Sequence, residues 1–150
     1  MRYFLDTEFN GFGGELLSLA LVPEDGEEFY VTLDCPDPPH KWVERNVLPY
    51  LDSVPYSLQS PRVGRIEAAQ ALAAYLATDP EPDIVADWPD DIAHFCRLLM
   101  TGPATMVAVP ALSLRLLSLS GFSSAANSAV PHNALHDARA LRDHLTSLLE

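Results

Sequence analysis

Apolar and polar positions fall into two rhythms along the chain, and the change between them predicts its elements. Residues 2–7 form a short apolar-aromatic run ending in acids, the pattern of a strand with functional groups at its exit. Three glycines within residues 10–14 signal a turn. Residues 16–22 (LLSLALV) are nearly continuously apolar, as a central strand would be. Asp25-Gly26 then turns the chain into residues 28–33 (EFYVTL), whose alternation predicts a third strand antiparallel to the second.

Beyond the proline-rich stretch Cys35-Pro36-Asp37-Pro38-Pro39 the period becomes helical. A short helix is expected over residues 41–48, ended by Pro49. A cleaner one is expected over residues 62–76, where Ile66, Ala69, Leu72, Ala73 and Leu76 share a face. Residues 83–86 (DIVA) read as a strand. A helix follows over residues 89–100, with Pro89 in its first turn and Asp90 and Asp91 at its positive end. Residues 106–109 are the expected fifth strand, and residues 118–128, small and polar, a mobile loop. The last helix is expected over residues 133–149, with Asn133 as N-cap. Hairpin strands followed by βα units predict an α/β fold: a mixed five-stranded sheet with helices on its faces. With 150 residues, no repeat and no linker, one domain over 1–150 is expected.

Composition refines this picture little and charge complicates it. Apolar residues make up 48% and charged residues 20%, which excludes a disordered chain. An acid at Asp6 interrupts the first apolar run, which argues against a signal peptide, and no stretch reaches the roughly 20 apolar residues of a membrane span. Cys35 and Cys96 provide neither a disulfide framework nor metal-ligand spacing, and a reducing cytoplasm is the expected location. The net charge of −12, from nine cations against 21 acids, argues against tight duplex binding, which needs phosphates neutralised. It argues less against a short single strand, because acids gathered around cations invert the local sign.

Three clusters carry the candidate chemistry. Asp6 and Glu8 are two apart on a strand, so both carboxylates leave one face and would repel without a cation between them. Asp87, Asp90 and Asp91 lie between a strand and a helix start, where mixed sheets build sites. His132 and Asp137 would lie about 140° apart on one helix, and they converge only if His132 precedes it on the loop. There the histidine is placed to take a proton from water. Each cluster alone has a plainer reading, as solvated strand end, helix cap or surface polar pair. Their strength lies in falling where a mixed sheet could bring all three to the same edge.

The order Asp6-x-Glu8, Asp91, His132-x₄-Asp137 resembles the DEDDh (DnaQ-like) 3′→5′ exonucleases of the ribonuclease H-like fold, and among them small actinobacterial-type exoribonucleases. The resemblance runs from Phe4-Leu5-Asp6-Thr7-Glu8 through Asp91-Ile92-Ala93-His94-Phe95-Cys96 to His132-Asn133-Ala134-Leu135-His136-Asp137-Ala138. It implies that Asp6, Glu8, Asp91 and Asp137 hold two divalent cations, Mg²⁺ or Mn²⁺, with His132 as general base. Asp87 is the runner-up for the middle acid. Thr7, between the first two acids, Phe9 and Phe12 are the candidate substrate-binding residues, the two aromatics holding the terminal base by stacking or else packing in the core or a loop. Arg139 and Arg142 reach either phosphates or surface acids, with surface pairing favoured for Arg142. The implied partner is a single-stranded 3′ end, RNA rather than DNA, and the family suggests a homodimer. The competing readings are a DNA-directed exonuclease, a non-catalytic binding module on the same fold, and an acidic interaction protein whose acids only solvate its surface.

Overall fold

A computed structural model describes all of residues 1–150. The expected hairpins are present: β1 (Arg2–Phe9) pairs antiparallel with β2 (Leu16–Pro23), and β2 with β3 (Phe29–Thr32). Gly26, at φ 107°, makes the turn between β2 and β3, a conformation that a side chain would strain. The short helix α1 (Lys41–Asn46) ends earlier than expected, and Pro49 lies inside a separate 3₁₀ turn, Leu48–Tyr50.

Helix α2 (Arg65–Leu76) begins after Gly64. Residues 62–64 do not join it because Arg62 is held by Asp52 and Val63 bridges to Leu33. Its buried stripe is Ala68, Ala69, Leu72 and Leu76, while Ile66 turns outward. Strand β4 (Asp83–Ala86) runs parallel to β1 and leads into α3 (Pro89–Leu99), whose proline sits in the first turn as expected.

The expected strand over residues 106–109 is not part of this sheet. Instead β5 (Met100–Gly102) and β6 (Thr105–Met106) form a separate small hairpin, turning through Ala104 at φ 52°. Val107 and Val109 pack against the core without strand pairing. The fifth strand of the main sheet is β7 (Ser113–Leu116), parallel to β4 at the edge. Its residues are largely exposed, which is why its pattern carries no apolar signal. Residues 118–128 form a loop with one 3₁₀ turn, Ala125–Asn127, and α4 (Ala134–Ser147) closes the chain.

The sheet order is β3-β2-β1-β4-β7, mixed, with helices on both faces. Alternation on β1 divides the two cores. Tyr3 and Leu5 face α2 and α3, packing with Leu72, Phe95 and Leu98. Phe4 faces α4 and packs with Leu141, next to a cluster in which Ala20 and Val22 meet Leu135 and Ala138. By the same alternation Asp6 and Glu8 point to the α4 side, past the end of that packing. The parallel pair β1–β4 therefore brings two strand ends with their following acids to one edge. No helix is long and apolar enough to cross a membrane.

Candidate metal centre

At that edge lies a cavity of about 560 Å³. Asp6 and Glu8 enter it from β1, where a register shift between Glu8 and Phe9 interrupts the pairing with β2. Asp87 and Asp91 enter from the β4–α3 junction, and His132 and Asp137 from the start of α4. The three clusters, separated by some eighty and then forty residues of sequence, thus meet in one place.

Their ligand atoms form two groups, each within 4.8 Å: Asp6 with Asp87 and Asp91, and Glu8 with His132 and Asp137. Both candidates for the middle acid converge on Asp6, but they are held differently. Asp91 is buried, and its Oδ1 accepts from the Thr7 N–H at 3.0 Å and from the Thr7 hydroxyl at 2.6 Å. Asp87 is half-buried and more open to the cavity. Thr7 lines the cavity, yet its hydroxyl and N–H are both spent on Asp91 rather than left free for a ligand.

The start of α4 is equally defined. Asn133 caps it as expected, its Oδ1 accepting from Leu135 N–H at 3.1 Å and His136 N–H at 3.3 Å. Its amide donates to the Tyr50 carbonyl at 2.8 Å, tying the helix start to the turn after α1. His132 precedes the cap at φ 62°, a left-handed conformation that non-glycine residues adopt at a cost. Its N–H donates to Asp137 Oδ2 at 3.2 Å, and its ring meets that of Trp42 edge-on with centroids 4.8 Å apart. Histidine and acid converge because His132 lies outside the helix.

The electrostatics are those of acids lacking a counter-charge. Burial, then repulsion from Asp91, Glu8, Asp137 and Asp87, raises Asp6 well above the carboxylate range. Burial with Asp137 and Asp91 alongside pushes Glu8 up to about 9. Asp91 rises to about 7 through burial, against the two bonds from Thr7, and Asp137 to about 6. Burial raises Asp87 as well. Asp6 Oδ2 and Asp137 Oδ1 are buried without any hydrogen-bond partner. Orphaned carboxylate oxygens in a crowd of acids are unfavourable unless a cation neutralises them, and an oxygen-rich set with one imidazole suits a hard divalent ion. The residues fit such a group.

The surroundings differ from expectation in their aromatics. Phe9 lines the cavity and packs against the His94 ring, the centroids 4.6 Å apart and the planes tilted by 30°. Phe12 is 97% exposed and lies outside the cavity, carried into solvent by the glycine turn. Trp42, Trp88 and Phe122 line the walls instead. Trp88 stands beside the acids of the second cluster in sequence, a signal that could have found it. Trp42 and Phe122 come from a short helix and a loop with no local signal. The Gly11 turn packs against this wall, where an added Cβ would meet the His40 ring at 2.9 Å. Arg139 pairs through two bonds, at 2.7 and 2.6 Å, with Glu28 and does not line the cavity, and Arg142 pairs with Asp143.

No family model matches this chain. Two curated proteins do, each named a 3′-5′ exoribonuclease, from the CDC 1551 / Oshkosh and the ATCC 25618 / H37Rv strains of Mycobacterium tuberculosis. Each is 47% identical over 55 residues, a stretch of 34% of this chain. That stretch spans 33%, about a third, of the relatives' own length, so the likeness is to part of an exoribonuclease.

Proposed function

We propose that the chain is a metal-dependent 3′→5′ exoribonuclease of the DEDDh type, a single ribonuclease H-like domain over residues 1–150, removing nucleoside monophosphates from single-stranded RNA ends. The observation that carries this reading is the meeting of Asp6, Glu8, Asp91, Asp137 and His132 in one cavity, with two carboxylate oxygens left unpartnered. The partial likeness to proteins named 3′-5′ exoribonuclease supports RNA over DNA as the substrate. A cytoplasmic location accords with the two free thiols, Cys35 and Cys96.

In this reading Asp6, Glu8, Asp91 and Asp137 hold two cations, Mg²⁺ or Mn²⁺, with Asp87 as a further carboxylate beside Asp6 and Asp91. Bound there, the cations supply a more acidic water and neutralise charge on the scissile phosphate. The protein's own groups do the rest. A His132 ring nitrogen accepts the proton of the attacking water, a role worth about 10²–10⁴ in rate. The bond from the His132 N–H to Asp137 and the contact with Trp42 hold the imidazole over the acids without using its ring nitrogens. Thr7 fixes the rotamer of Asp91 through two hydrogen bonds. Phe9, braced by His94, offers an aromatic face beside Glu8 on which a terminal base can stack.

The test is a gel assay on 5′-labelled single-stranded RNA, with Mn²⁺ or Mg²⁺ and without, beside Asp6→Asn and a DNA of the same sequence. The expected result is a cation-dependent ladder shortening from the 3′ end, lost in Asp6→Asn and weaker on DNA. Full activity in Asp6→Asn would remove the carboxylate cage from the chemistry. Preference for DNA would reassign the substrate.

A further inference from the structure

The chain has only nine cations to set against its 21 acids. Six of the nine are already engaged by carboxylates: Arg2, Arg62, Arg65, Arg115, Arg139 and Arg142. Lys41, Arg45 and Arg97 remain. Two of these three sit on α1, four residues apart, on the same short helix that sends Trp42 into the cavity wall.

Helical spacing defines their arrangement. At 100° per residue, Arg45 lies about 40° from Lys41 and about 60° from Trp42, so the three form one continuous strip. Val43, buried against Leu17 and Val47, anchors the helix and lines the cavity with Trp42, about 100° further round, so the Lys41–Arg45 edge of the strip looks outward from the cavity rim. Glu44 falls on the far side of Lys41 from Trp42, outside the strip. Lys41 and Arg45 are exposed, and Trp42 is 54% exposed although its ring meets His132 edge-on, so aromatic surface stays open.

The part of the wall built by the β4–α3 junction has the reverse sign. There Trp88, 59% exposed, stands between Asp87 and Asp90, its indole N–H donating to Asp90 Oδ2 at 2.9 Å. A polyanion whose end is held at the acid cluster is repelled along that wall and attracted along α1. On a molecule of net charge −12, two free cations beside an open indole are the combination that single-stranded nucleic acid requires: charge for its phosphates and a platform for a base.

We propose that the outer face of α1 is the track for the RNA strand upstream of the scissile bond, with Lys41 and Arg45 on successive phosphates and Trp42 under a base. The proposal rests on the exoribonuclease reading and adds to it a preference for length. A dinucleotide has no phosphate beyond the scissile one to offer Lys41 and Arg45, whereas a longer strand lies along them.

The test compares kcat/KM on a labelled 15-nucleotide single-stranded RNA and on a dinucleotide of the same 3′ sequence, with Mn²⁺, for the parent, Lys41→Ala/Arg45→Ala and Arg97→Ala. The double variant is expected to lower the ratio of 15-mer to dinucleotide kcat/KM on the order of tenfold near 0.1 M salt, carried by KM. Its log–log salt dependence on the 15-mer should be shallower by about 1.4, at roughly 0.7 for each single-strand phosphate that the side chains no longer neutralise. Arg97→Ala, whose cation sits in the last turn of α3 and not on α1 beside Trp42, should keep the parent's ratio. An unchanged ratio in the double variant overturns the track, as does an equal fall in Arg97→Ala. A parent that cleaves neither RNA overturns the exoribonuclease reading itself.

Discussion

Thr7 lies between two acids in sequence, yet its own contribution is made to a third. The backbone and hydroxyl bonds to one oxygen of Asp91 leave the other oxygen of that carboxylate free to face Asp6 and Asp87. Thr7→Val keeps the volume and the N–H bond and removes only the hydroxyl. A hydrogen bond to a charged group contributes about 1.5–3 kcal/mol, and loss of such an outer partner typically costs about 10–100-fold in metal affinity or activity. Thr7→Val is therefore expected to raise the Mn²⁺ concentration for half-maximal thermal stabilisation by about that factor, and Thr7→Ser to restore it. Wild-type cation dependence in Thr7→Val would mean that the backbone bond alone positions Asp91. The residue scale is only partly legible in sequence. The acids and histidine stand out as three clusters whose roles come from the family resemblance, but that resemblance counts Thr7 among the substrate-binding residues, because nothing local shows Asp91 crossing from α3 to meet it.

Elements are legible where a strong period coincides with a strong terminus. β4 and the start of α3 follow from an apolar run stopped by Trp88-Pro89, and α4 from its asparagine cap. Where the period is weak, the expectation fails. Val107 and Val109 carry the apolar signal of a strand but serve as core plugs, while β7 is an edge strand with little apolar burial to record. The cap at α4 belongs to this scale because it joins elements rather than finishing one. Asn133→Ala would leave two helix N–H groups and the Tyr50 carbonyl without their partner. A cap is worth about 1 kcal/mol and the part-buried bond to Tyr50 about 0.5–1.5, so a loss of roughly 1.5–2.5 kcal/mol is expected in urea unfolding. A loss below about 0.5 kcal/mol would show that water satisfies these groups and that the Tyr50 link is dispensable. Trp42 is illegible for the same reason that this link is: the meeting of α1 with the start of α4 is made by tertiary packing, and no sequence window contains both.

At the scale of the whole molecule, the acid cluster opposes folding whenever it is ionised and lacks cations. Glu8, Asp91 and Asp137 hold their protons up to about 9, 7 and 6 in the folded chain, against 4.5, 3.8 and 3.8 ordinarily. Between those limits the native state binds more protons than the unfolded one, so stability falls as pH rises. The stabilising contribution is complete below about pH 4 and is lost as pH climbs through the folded values. For Asp137 alone, about two units at 1.36 kcal/mol each gives roughly 3 kcal/mol, an upper figure for one group. The surface pairs run the other way. Arg139 holds Glu28 below its usual range, and Arg115 and Arg2 do the same for Asp83, so those contributions fail only as pH drops through the ordinary carboxylate values. From pH 5 to 9 the cluster outweighs the one opposing group, His94, which burial holds below the usual histidine value and whose contribution rises with pH only up to that value. Without divalent cations, the melting temperature is expected to fall from pH 5.5 to pH 8. Added Mn²⁺ competes with protons for the same oxygens, so its stabilisation should be larger at pH 8 than at pH 5.5, flattening or reversing the slope. A cation-free melting temperature that is level or rises across this window, with Mn²⁺ giving no greater shift at pH 8, would show that the acids are hydrated rather than confined. The cavity would then be an ordinary acidic cleft, and the large negative charge of the chain would be surface solvation alone.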